Sequence, residues 1–360
     1  MKILNTFIKN NTDLVKDMKT CLYHYNKNNL NLHHLESNVW THTVMSYYNT
    51  IKYKYSDYVK WAILLHDIGR TLTRKENRLQ EHVSFGDFEG VSIFLSIDIL
   101  NKTNLSNNEK IKIMKIISYQ YLVINFIKYD KPTKNKLINI FKYEEDILQN
   151  LAQYVRCDLL GRKVDESLIH LYDKTKMKDF INYTKTISTS KQDIKNNKYL
   201  INILVGPPCS KKSTWVKKHK KNAIIVNRDS CIEEIGKKYN KHNHDDAYYY
   251  IKSNKDAKIE IDTLYKKRKN YAKNSINKNI IIDNPNLELK SRKEWIDVFK
   301  DTHIIKVILF LSSFNDLVKC CEKRGIETNK NITKKELLNK LKTFTYPLLN
   351  EGINFINYED

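Results

Sequence analysis

A short segment near the middle of the chain constrains its fold more than any other. Residues 200–205 form an apolar run rich in β-branched side chains, and residues 206–214 follow with the sequence Gly-Pro-Pro-Cys-Ser-Lys-Lys-Ser-Thr. A strand that runs into a short loop and then a helix is the context in which backbone amides cradle phosphate oxygens. The segment therefore predicts a phosphate-binding loop in a sheet flanked by helices.

Each residue of the predicted loop has an expected task. Lys212 brings a fixed positive charge, and the Ser213 hydroxyl can hold Mg²⁺. Lys211 and Cys209 stand where glycines are usual in this pattern, so a chance match or a decayed loop is the alternative interpretation. The residues expected to bind ATP, or another nucleoside triphosphate, with its Mg²⁺ are Gly206, Ser210, Lys211, Lys212, Ser213 and Thr214.

The composition limits the class of protein. The chain has 360 residues, enough for two or three domains with cores of their own. No apolar run approaches the length of a bilayer span, and the first residues do not resemble a signal peptide. Six cysteines without a C-x-x-C spacing favour a reducing compartment. We therefore expect an intracellular protein of the cytoplasm or nucleus, with no membrane partner.

The charge of the chain leaves its partner open. A net charge of +22 is typical of a protein that binds a polyanion. Lysine, asparagine and isoleucine are overused throughout, however, and this bias alone would give a basic protein. Arginine is rare, with nine residues in the chain, so its presence in a motif indicates a need for a planar, always-charged group.

The two halves of the chain differ in periodicity. Residues 1–184 show helical periodicity and predict an all-α domain, whereas residues 199–360 alternate apolar runs with helical segments and predict an α/β domain with a parallel sheet. The polar stretch 185–198 has no core periodicity and is interpreted as the linker of this multi-domain chain. The apolar runs of the second half lie at 201–205, 223–226, 279–282 and 304–311.

The first half also contains a set of histidines and aspartates. Asp158 lies on the apolar helical stripe of residues 151–159, where a carboxylate facing a core needs a partner. Two imidazoles and two carboxylates can enclose a divalent metal, and mixed N/O ligands favour Mn²⁺, Fe²⁺, Co²⁺, Ni²⁺ or Mg²⁺ over a structural zinc. The alternative is that each histidine is an ordinary core residue. The members of the set are His42, His66, Asp67 and Asp158.

These motifs resemble an HD-domain phosphohydrolase over most of residues 25–175, through the segments 34–43, 64–74 and 155–162. They are especially similar to the HD domains attached to tRNA nucleotidyltransferases and RNA-repair proteins. Asp87 and Gln120 stand where many members have histidines, which favours one metal over two. The resemblance implies the metal ligands His42, His66, Asp67 (also catalytic) and Asp158, with His34, Arg70 and Arg162 near the phosphate.

The second half is similar to the phage-type 5′-hydroxyl polynucleotide kinases. The similarity is carried by Asn-Arg-Asp-Ser at 227–230, Asp-Asn-Pro-Asn at 283–286 and Lys-Cys-Cys-Glu-Lys-Arg-Gly at 319–325. The first two segments follow predicted strands, and strand ends in such sheets are where ligands bind.

The kinase resemblance implies a role for several side chains. Asp229 would accept the proton of the attacking hydroxyl, Asp283 would orient the site or support Mg²⁺, and Arg324 would close over the transferring phosphoryl group beside Lys212. Arg228 is expected at the substrate. Taken alone, an aspartate at position 229 is more commonly a helix cap than a catalytic residue, and the alternative for Arg324 is a solvated surface charge. Ile232 and Cys320 replace arginines that the family usually carries.

Together the halves resemble bifunctional HD-phosphohydrolase and polynucleotide kinase end-healing enzymes. Breakage of RNA by its 2′-hydroxyl leaves a 2′,3′-cyclic phosphate and a 5′-hydroxyl. The resemblance implies a metal-dependent phosphoesterase for the first end and an ATP-dependent kinase for the second, with a separate ligase to seal them. RNA is the expected substrate and DNA stays open. A kinase and phosphohydrolase of small nucleotides, and a basic nucleic-acid-binding protein with decayed sites, are the alternatives.

Overall fold

The computed structural model of the protein describes residues 1–188, 190–192, 197–328 and 330–359. The chain divides into two compact units, Met1–Lys191 with Phe344–Tyr346, and Gln192–Thr343 with Pro347–Asp360. The linker predicted at 185–198 lies between the last helix of the first part, which ends at Thr184, and the first strand of the second, which begins at Tyr199. Residues 189 and 193–196 of that stretch lie outside the described residues.

The first unit is built mainly from helices. Its central helix, α4, buries the run Trp61–Leu65 and packs against α3, α6, α7 and α9. Burial of one such apolar side chain stabilises a fold by about 1.5–3 kcal/mol. The helices are α1 (Lys2–Asn10), α2 (Thr12–Thr20), α3 (Val39–Lys52), α4 (Asp57–Leu65), α5 (Arg70–Thr73), α6 (Phe88–Asn101), α7 (Asn107–Tyr129), α8 (Lys134–Ile140), α9 (Glu145–Leu160), α10 (Lys174–Thr184) and a 3₁₀ helix (Glu166–Leu171).

The all-α prediction for this half is wrong in one detail, because a short antiparallel hairpin joins α5 to α6. It pairs β1 (Lys75–Asn77) with β2 (His82–Ser84). The Asn77 side chain accepts hydrogen bonds from the amides of Leu79 (3.1 Å) and Gln80 (3.2 Å), which forms the turn. Five of the six strand residues are exposed and polar, so the hairpin has no hydrophobic alternation by which its sequence could predict it.

The second unit contains a five-stranded sheet in the order β4–β5–β3–β6–β7, and every pair of neighbouring strands is parallel. The parallel sheet predicted from the alternating pattern is therefore confirmed. The fifth strand, β7, was not predicted, because it is a partly exposed edge strand without an apolar run. The strands are β3 (Tyr199–Val205), β4 (Ala223–Val226), β5 (Asn279–Ile282), β6 (His303–Phe310) and β7 (Phe355–Glu359).

The order of the strands brings three chain segments to one edge of this sheet. The carboxyl ends of β4, β5 and β3 are neighbours, so the residues that follow them share a crevice. Ile232, where the resemblance would have an arginine, belongs to a small apolar core shared by α12, α13 and α14. The helices are α11 (Lys212–His219), α12 (Arg228–Lys238), α13 (His244–Ser253), α14 (Lys255–Lys273), α15 (Leu289–Phe299), α16 (Phe314–Thr328), α17 (Lys334–Lys342) and a 3₁₀ helix (Leu349–Glu351).

None of the helices in the described part of the chain combines the length and apolar character that a membrane crossing requires.

Candidate metal centre and phosphate-binding loop

In the first unit the four predicted metal ligands converge. Asp158 Oδ1 lies 2.9 Å from His42 Nε2 and 3.4 Å from His66 Nε2, and Asp67 Oδ2 lies 3.3 Å from the same His66 nitrogen. All four residues are buried, with at most 1% of their surface exposed. The side chains come from α3, from the end of α4 and from the last turn of α9, so the packing of these three helices places them.

Two arginines balance the buried carboxylates. Arg70 Nε lies 2.8 Å from Asp67 Oδ1, and Arg162 Nη2 donates to Asp158 Oδ2 at 2.5 Å. Burial alone would raise the pKa of each carboxyl, but the guanidinium and imidazole groups outweigh burial and hold the pKa of Asp67 and Asp158 well below the usual range. Both carboxylates are therefore ionised at neutral pH and have the charge that metal ligands need.

His66 has the geometry of a metal ligand. Its Nδ1 lies 2.7 Å from the carbonyl oxygen of Ile63, which fixes the ring and directs Nε2 toward the two carboxylates. That Nε2 is buried, and its contacts with Asp67 and Asp158 lack the geometry of a hydrogen bond, so it has no hydrogen-bond partner among the described residues. Ligand atoms of His42, His66 and Asp67 lie within 4.8 Å of one another. A buried nitrogen without a partner, beside ionised carboxylates, fits a divalent cation.

Glu36 is a site residue that the sequence analysis missed. Its Oε1 lies 2.7 Å from His34 Nδ1 and 3.3 Å from His42 Nδ1, and its Oε2 accepts a hydrogen bond from the Lys163 amide at 3.0 Å. Burial opposes ionisation, but hydrogen bonds to the two imidazoles hold the pKa of Glu36 below its ordinary value. Its one signal in the sequence is an acidic residue placed between two histidines, which is weak by itself. Glu36 orients both rings through their Nδ1 atoms.

Two of the residues predicted to lie near the phosphate pack against aromatic rings at the edge of this cluster. His34 stacks on Tyr23 at 4.0 Å between ring centroids, and Arg70 lies 3.9 Å from the centroid of Phe88. Burial, and then the nearby Arg162, lower the pKa of His34 to about 3, so this imidazole is neutral. Gln120 stands where the resemblance to HD-domain proteins would have a histidine. It is buried and accepts a hydrogen bond from the Tyr154 hydroxyl at 2.5 Å.

In the second unit the predicted loop follows β3 and opens α11. The Lys212 ammonium donates to the carbonyl oxygens of Gly206 (2.7 Å) and Pro207 (2.6 Å). A Cβ at Gly206 would lie 2.6 Å from the Ser210 hydroxyl and 2.9 Å from Cβ of Phe310, so only glycine fits there. The loop is thus closed around the lysine, while Ser213 and Thr214 are exposed in the first turn of the helix.

The two positions where glycine is usual have a left-handed backbone. The φ angle is 64° at Cys209 and 67° at Lys211. This conformation costs a residue with a Cβ about 1–2 kcal/mol, which is the physical reason for glycine at both positions. The loop keeps the left-handed shape with non-glycine residues, and the side chain of Lys211 is exposed.

The acidic residues after β4 and β5 lie near the loop lysine. Burial lowers the pKa of Lys212 to about 8, against the opposing charges of Asp283 and Asp229. Asp283 Oδ2 accepts a hydrogen bond from Asn227 Nδ2 at 2.6 Å. Asp229 forms an ion pair with Lys330, and burial is outweighed by His244 and Lys330, so its pKa is held below the usual range.

The two arginines predicted for the kinase site, Arg324 and Arg228, have different surroundings. Arg324 of α16 hydrogen-bonds Cys209 in the phosphate loop, where Cys321 and Cys320 also contact that thiol. Arg228, expected at the substrate, pairs instead with Asp262 of α14 at 3.0 Å, and both side chains are about half exposed. The structure therefore brings Arg324 to the loop and pairs Arg228 with a surface carboxylate.

The geometry of the second unit defines a P-loop nucleotide-binding domain. Residues 201–347 match the family model AAA_33, described as an AAA domain, and this part of the chain is a kinase-like domain of that type. A solved structure titled "Structure of the Pnkp1/Rnl/Hen1 RNA repair complex" aligns at 23% identity over 42% of this chain and 47% of that chain, with a TM-score of 0.32. The aligned region thus spans less than half of that chain. Comparison with curated proteins gave no match.

Proposed function

We propose that the protein heals broken nucleic-acid ends, with a metal-dependent phosphoesterase in residues 1–184 and an ATP-dependent 5′-hydroxyl kinase in residues 199–360. The observation that carries the proposal is that one chain holds two separate constellations suited to phosphate chemistry, the buried histidine and aspartate cluster and the P-loop. RNA with a 2′,3′-cyclic or terminal phosphate and a 5′-hydroxyl is the proposed substrate, since one break produces both ends. The net charge of +22 supports a polyanionic substrate.

In the first unit, His42, His66, Asp67 and Asp158 would hold a divalent metal such as Mn²⁺, Ni²⁺, Co²⁺ or Fe²⁺. The metal, when bound, supplies an acidified water and offsets phosphate charge. Arg70 and Arg162 keep the carboxylates ionised and add positive charge beside the phosphate. Glu36 accepts a hydrogen bond from Nδ1 of neutral His34, so Nε2 of this ring is unprotonated and would accept a hydrogen bond from a water or hydroxyl group beside the phosphate ester.

In the second unit, the amides of the loop and the first turn of α11 would bind the triphosphate of ATP, with Ser213 and Asp283 supporting Mg²⁺. Lys212 exchanges its two loop carbonyls for phosphate oxygens. Asp229, ionised beside Lys330, accepts the proton of the attacking 5′-hydroxyl. Arg324, already at the loop, stabilises charge on the transferring phosphoryl group.

One incubation tests both activities. The full-length protein is mixed with ATP, Mg²⁺, Mn²⁺ and an RNA oligonucleotide that has a 5′-hydroxyl and a 2′,3′-cyclic phosphate, and both ends are analysed by mass spectrometry. We expect phosphate gain at the 5′ end and opening or loss of the cyclic phosphate at the 3′ end. If neither end changes while ATP and Mn²⁺ bind, end healing is wrong. If mononucleotides react as well as the oligonucleotide, the small-nucleotide alternative replaces it.

A further inference from the structure

A group of polar side chains lies beside the arginine that pairs with the candidate metal centre. Arg162 donates to Asp158, and its charge acts on both Tyr172 and Lys128. The Tyr172 hydroxyl lies 2.9 Å from His33 Nδ1, and the Lys128 ammonium lies 3.2 Å from the same nitrogen and 3.5 Å from the hydroxyl. Lys128, His33 and Tyr172 thus form a group, here called the lysine group, near Arg162.

The charge of the lysine group is not balanced. Lys128 is half-buried, its hydrogen-bond partners are both neutral, and within the described ranges no carboxylate forms an ion pair with it. Burial, and then the nearby Arg162, lower the pKa of Lys128 to about 8. Lys112 on the same helix is also half-buried but pairs with Asp146 at 2.9 Å. A desolvated ammonium that lacks an acidic partner is an unfavourable arrangement unless an anion joins it.

Arg162 adds a second unsatisfied donor at the same place. Its side chain is 7% exposed, and its Nε is buried without a hydrogen-bond partner in the described part of the chain. Buried donors are nearly always paired in folded proteins, so an unpaired guanidinium nitrogen indicates a missing acceptor. A phosphate group has several anionic oxygens and can accept from a guanidinium and an ammonium at once.

We propose that the lysine group and Arg162 Nε bind a second phosphate of the substrate, the phosphodiester next to the end that the metal centre processes. This rests on the proposed phosphoesterase function of the first unit. The subsite would make the enzyme prefer a strand end over a mononucleotide, because a mononucleotide has no neighbouring phosphodiester.

The test compares Lys128→Met with Lys112→Met in the full-length, Mn²⁺-loaded protein. The substrates are a 2′,3′-cyclic mononucleotide and a 5′-phosphorylated dinucleotide with the same cyclic end. Lys128→Met should raise KM for the dinucleotide about tenfold and leave KM for the mononucleotide unchanged. Lys112→Met should change neither value, and Lys128→Arg should restore most of the loss. Equal effects of Lys128→Met on both substrates, or none on either, would overturn the subsite.

A binding measurement separates this proposal from the proposed activity. For the dinucleotide, the slope of log affinity against log salt should be smaller in Lys128→Met than in the unsubstituted protein, because one contact between opposite charges is lost. If no substrate is hydrolysed but this slope changes, the phosphoesterase is wrong and the phosphate subsite is kept. If hydrolysis proceeds and the slope is unchanged, the subsite is wrong and the phosphoesterase is kept.

Discussion

At Lys211 the backbone adopts a left-handed conformation, with φ at 67°. Replacing this lysine by glycine removes the clash of its Cβ with the neighbouring carbonyl, so Lys211→Gly should raise the free energy of unfolding of the second unit by about 1 kcal/mol. The variant also loses an exposed charge beside the bound triphosphate. ATP affinity should therefore fall slightly, and more at low salt than at high salt, while turnover stays similar. Thermal unfolding and ATP titration at two salt concentrations measure these effects.

Lys54 provides the control for Lys211. It is an exposed lysine of the first unit with φ at 53°. Lys54→Gly should give a comparable stabilisation without any change in ATP affinity, because the residue belongs to the other unit. A large gain in kinase turnover in Lys211→Gly would contradict the prediction and show that the natural loop is impaired.

Lys212 should make nucleotide binding sensitive to pH. Burial lowers its pKa to about 8, and the proposed contact with the triphosphate requires the charged ammonium form. As the pH rises through this pKa, the free protein loses the proton that binding requires, so ATP affinity should fall about tenfold between about pH 7 and about pH 9. Calorimetric titration in buffers of different ionisation enthalpy would also detect the proton taken up on binding.

Lys212→Arg is the matched variant for this pH dependence. A guanidinium stays charged over this whole pH range. The dependence of ATP affinity on pH should therefore become flat, even if ATP binds more weakly overall. If ATP affinity in Lys212→Arg still falls as steeply with pH, the pH dependence belongs to another group of the site.

At the level of whole elements, the candidate metal centre depends on the close approach of α3 and α9. Gly161, directly after α9, faces Ser46 of α3, and a Cβ there would lie 2.7 Å from both the backbone N and Cα of Ser46. Gly161→Ala should push the two helices apart and separate His42 from Asp158. We expect about tenfold weaker Mn²⁺ binding, and a loss of about 1–3 kcal/mol in the free energy of unfolding.

Gly86→Ala in the same unit is the control, since a Cβ at Gly86 would meet nothing within 4 Å. Mn²⁺ titration and thermal unfolding of both variants measure the effect. Unchanged Mn²⁺ affinity in a folded Gly161→Ala protein would show that the contact of α3 with α9 does not set the ligand geometry.

The sequence predicted the elements whose periodicity is strong. Four of the five strands of the sheet are apolar runs, three of them largely buried, and their alternation with helices predicted a parallel sheet. The hairpin β1–β2 was missed because most of its residues are exposed and polar, and β7 was missed because it is a partly exposed edge strand without an apolar run. Their structure depends on a turn and on pairing with β6, which periodicity does not report.

The sequence predicted some of the site residues and not others, because only some of them are marked by a local pattern. Asp158 could be recognised because a carboxylate interrupts a buried helical stripe, and Asp229 and Asp283 because they follow strands. Glu36 was missed because an acidic residue between two histidines is a weak signal, and Lys128 because it contacts residues far away in the chain. The catalytic roles of all these residues stay predictions until variants are measured.

Each compact unit of the whole molecule contains one complete candidate site. The cluster of His42, His66, Asp67 and Asp158 lies in the first unit, and the loop with Lys212, Asp229 and Asp283 lies in the second. Each site takes its side chains from its own unit, from helices and from the loops that follow helices and strands. Inactivation of one site should therefore leave the chemistry of the other intact.

Reciprocal variants test this independence. Asp229→Asn removes the proposed base for the hydroxyl proton, so 5′ phosphorylation should fall at least about 100-fold while processing of the cyclic phosphate stays unchanged. Asp158→Asn removes a proposed metal ligand and should abolish Mn²⁺-dependent processing while phosphorylation stays unchanged. Asp262→Asn and Asp146→Asn, which alter exposed carboxylates on α14 and α9, should spare both activities. The retained activity of each variant shows that the protein is folded. Loss of both activities in Asp229→Asn, with a normal thermal unfolding midpoint, would contradict two independent sites and indicate that one site depends on the other.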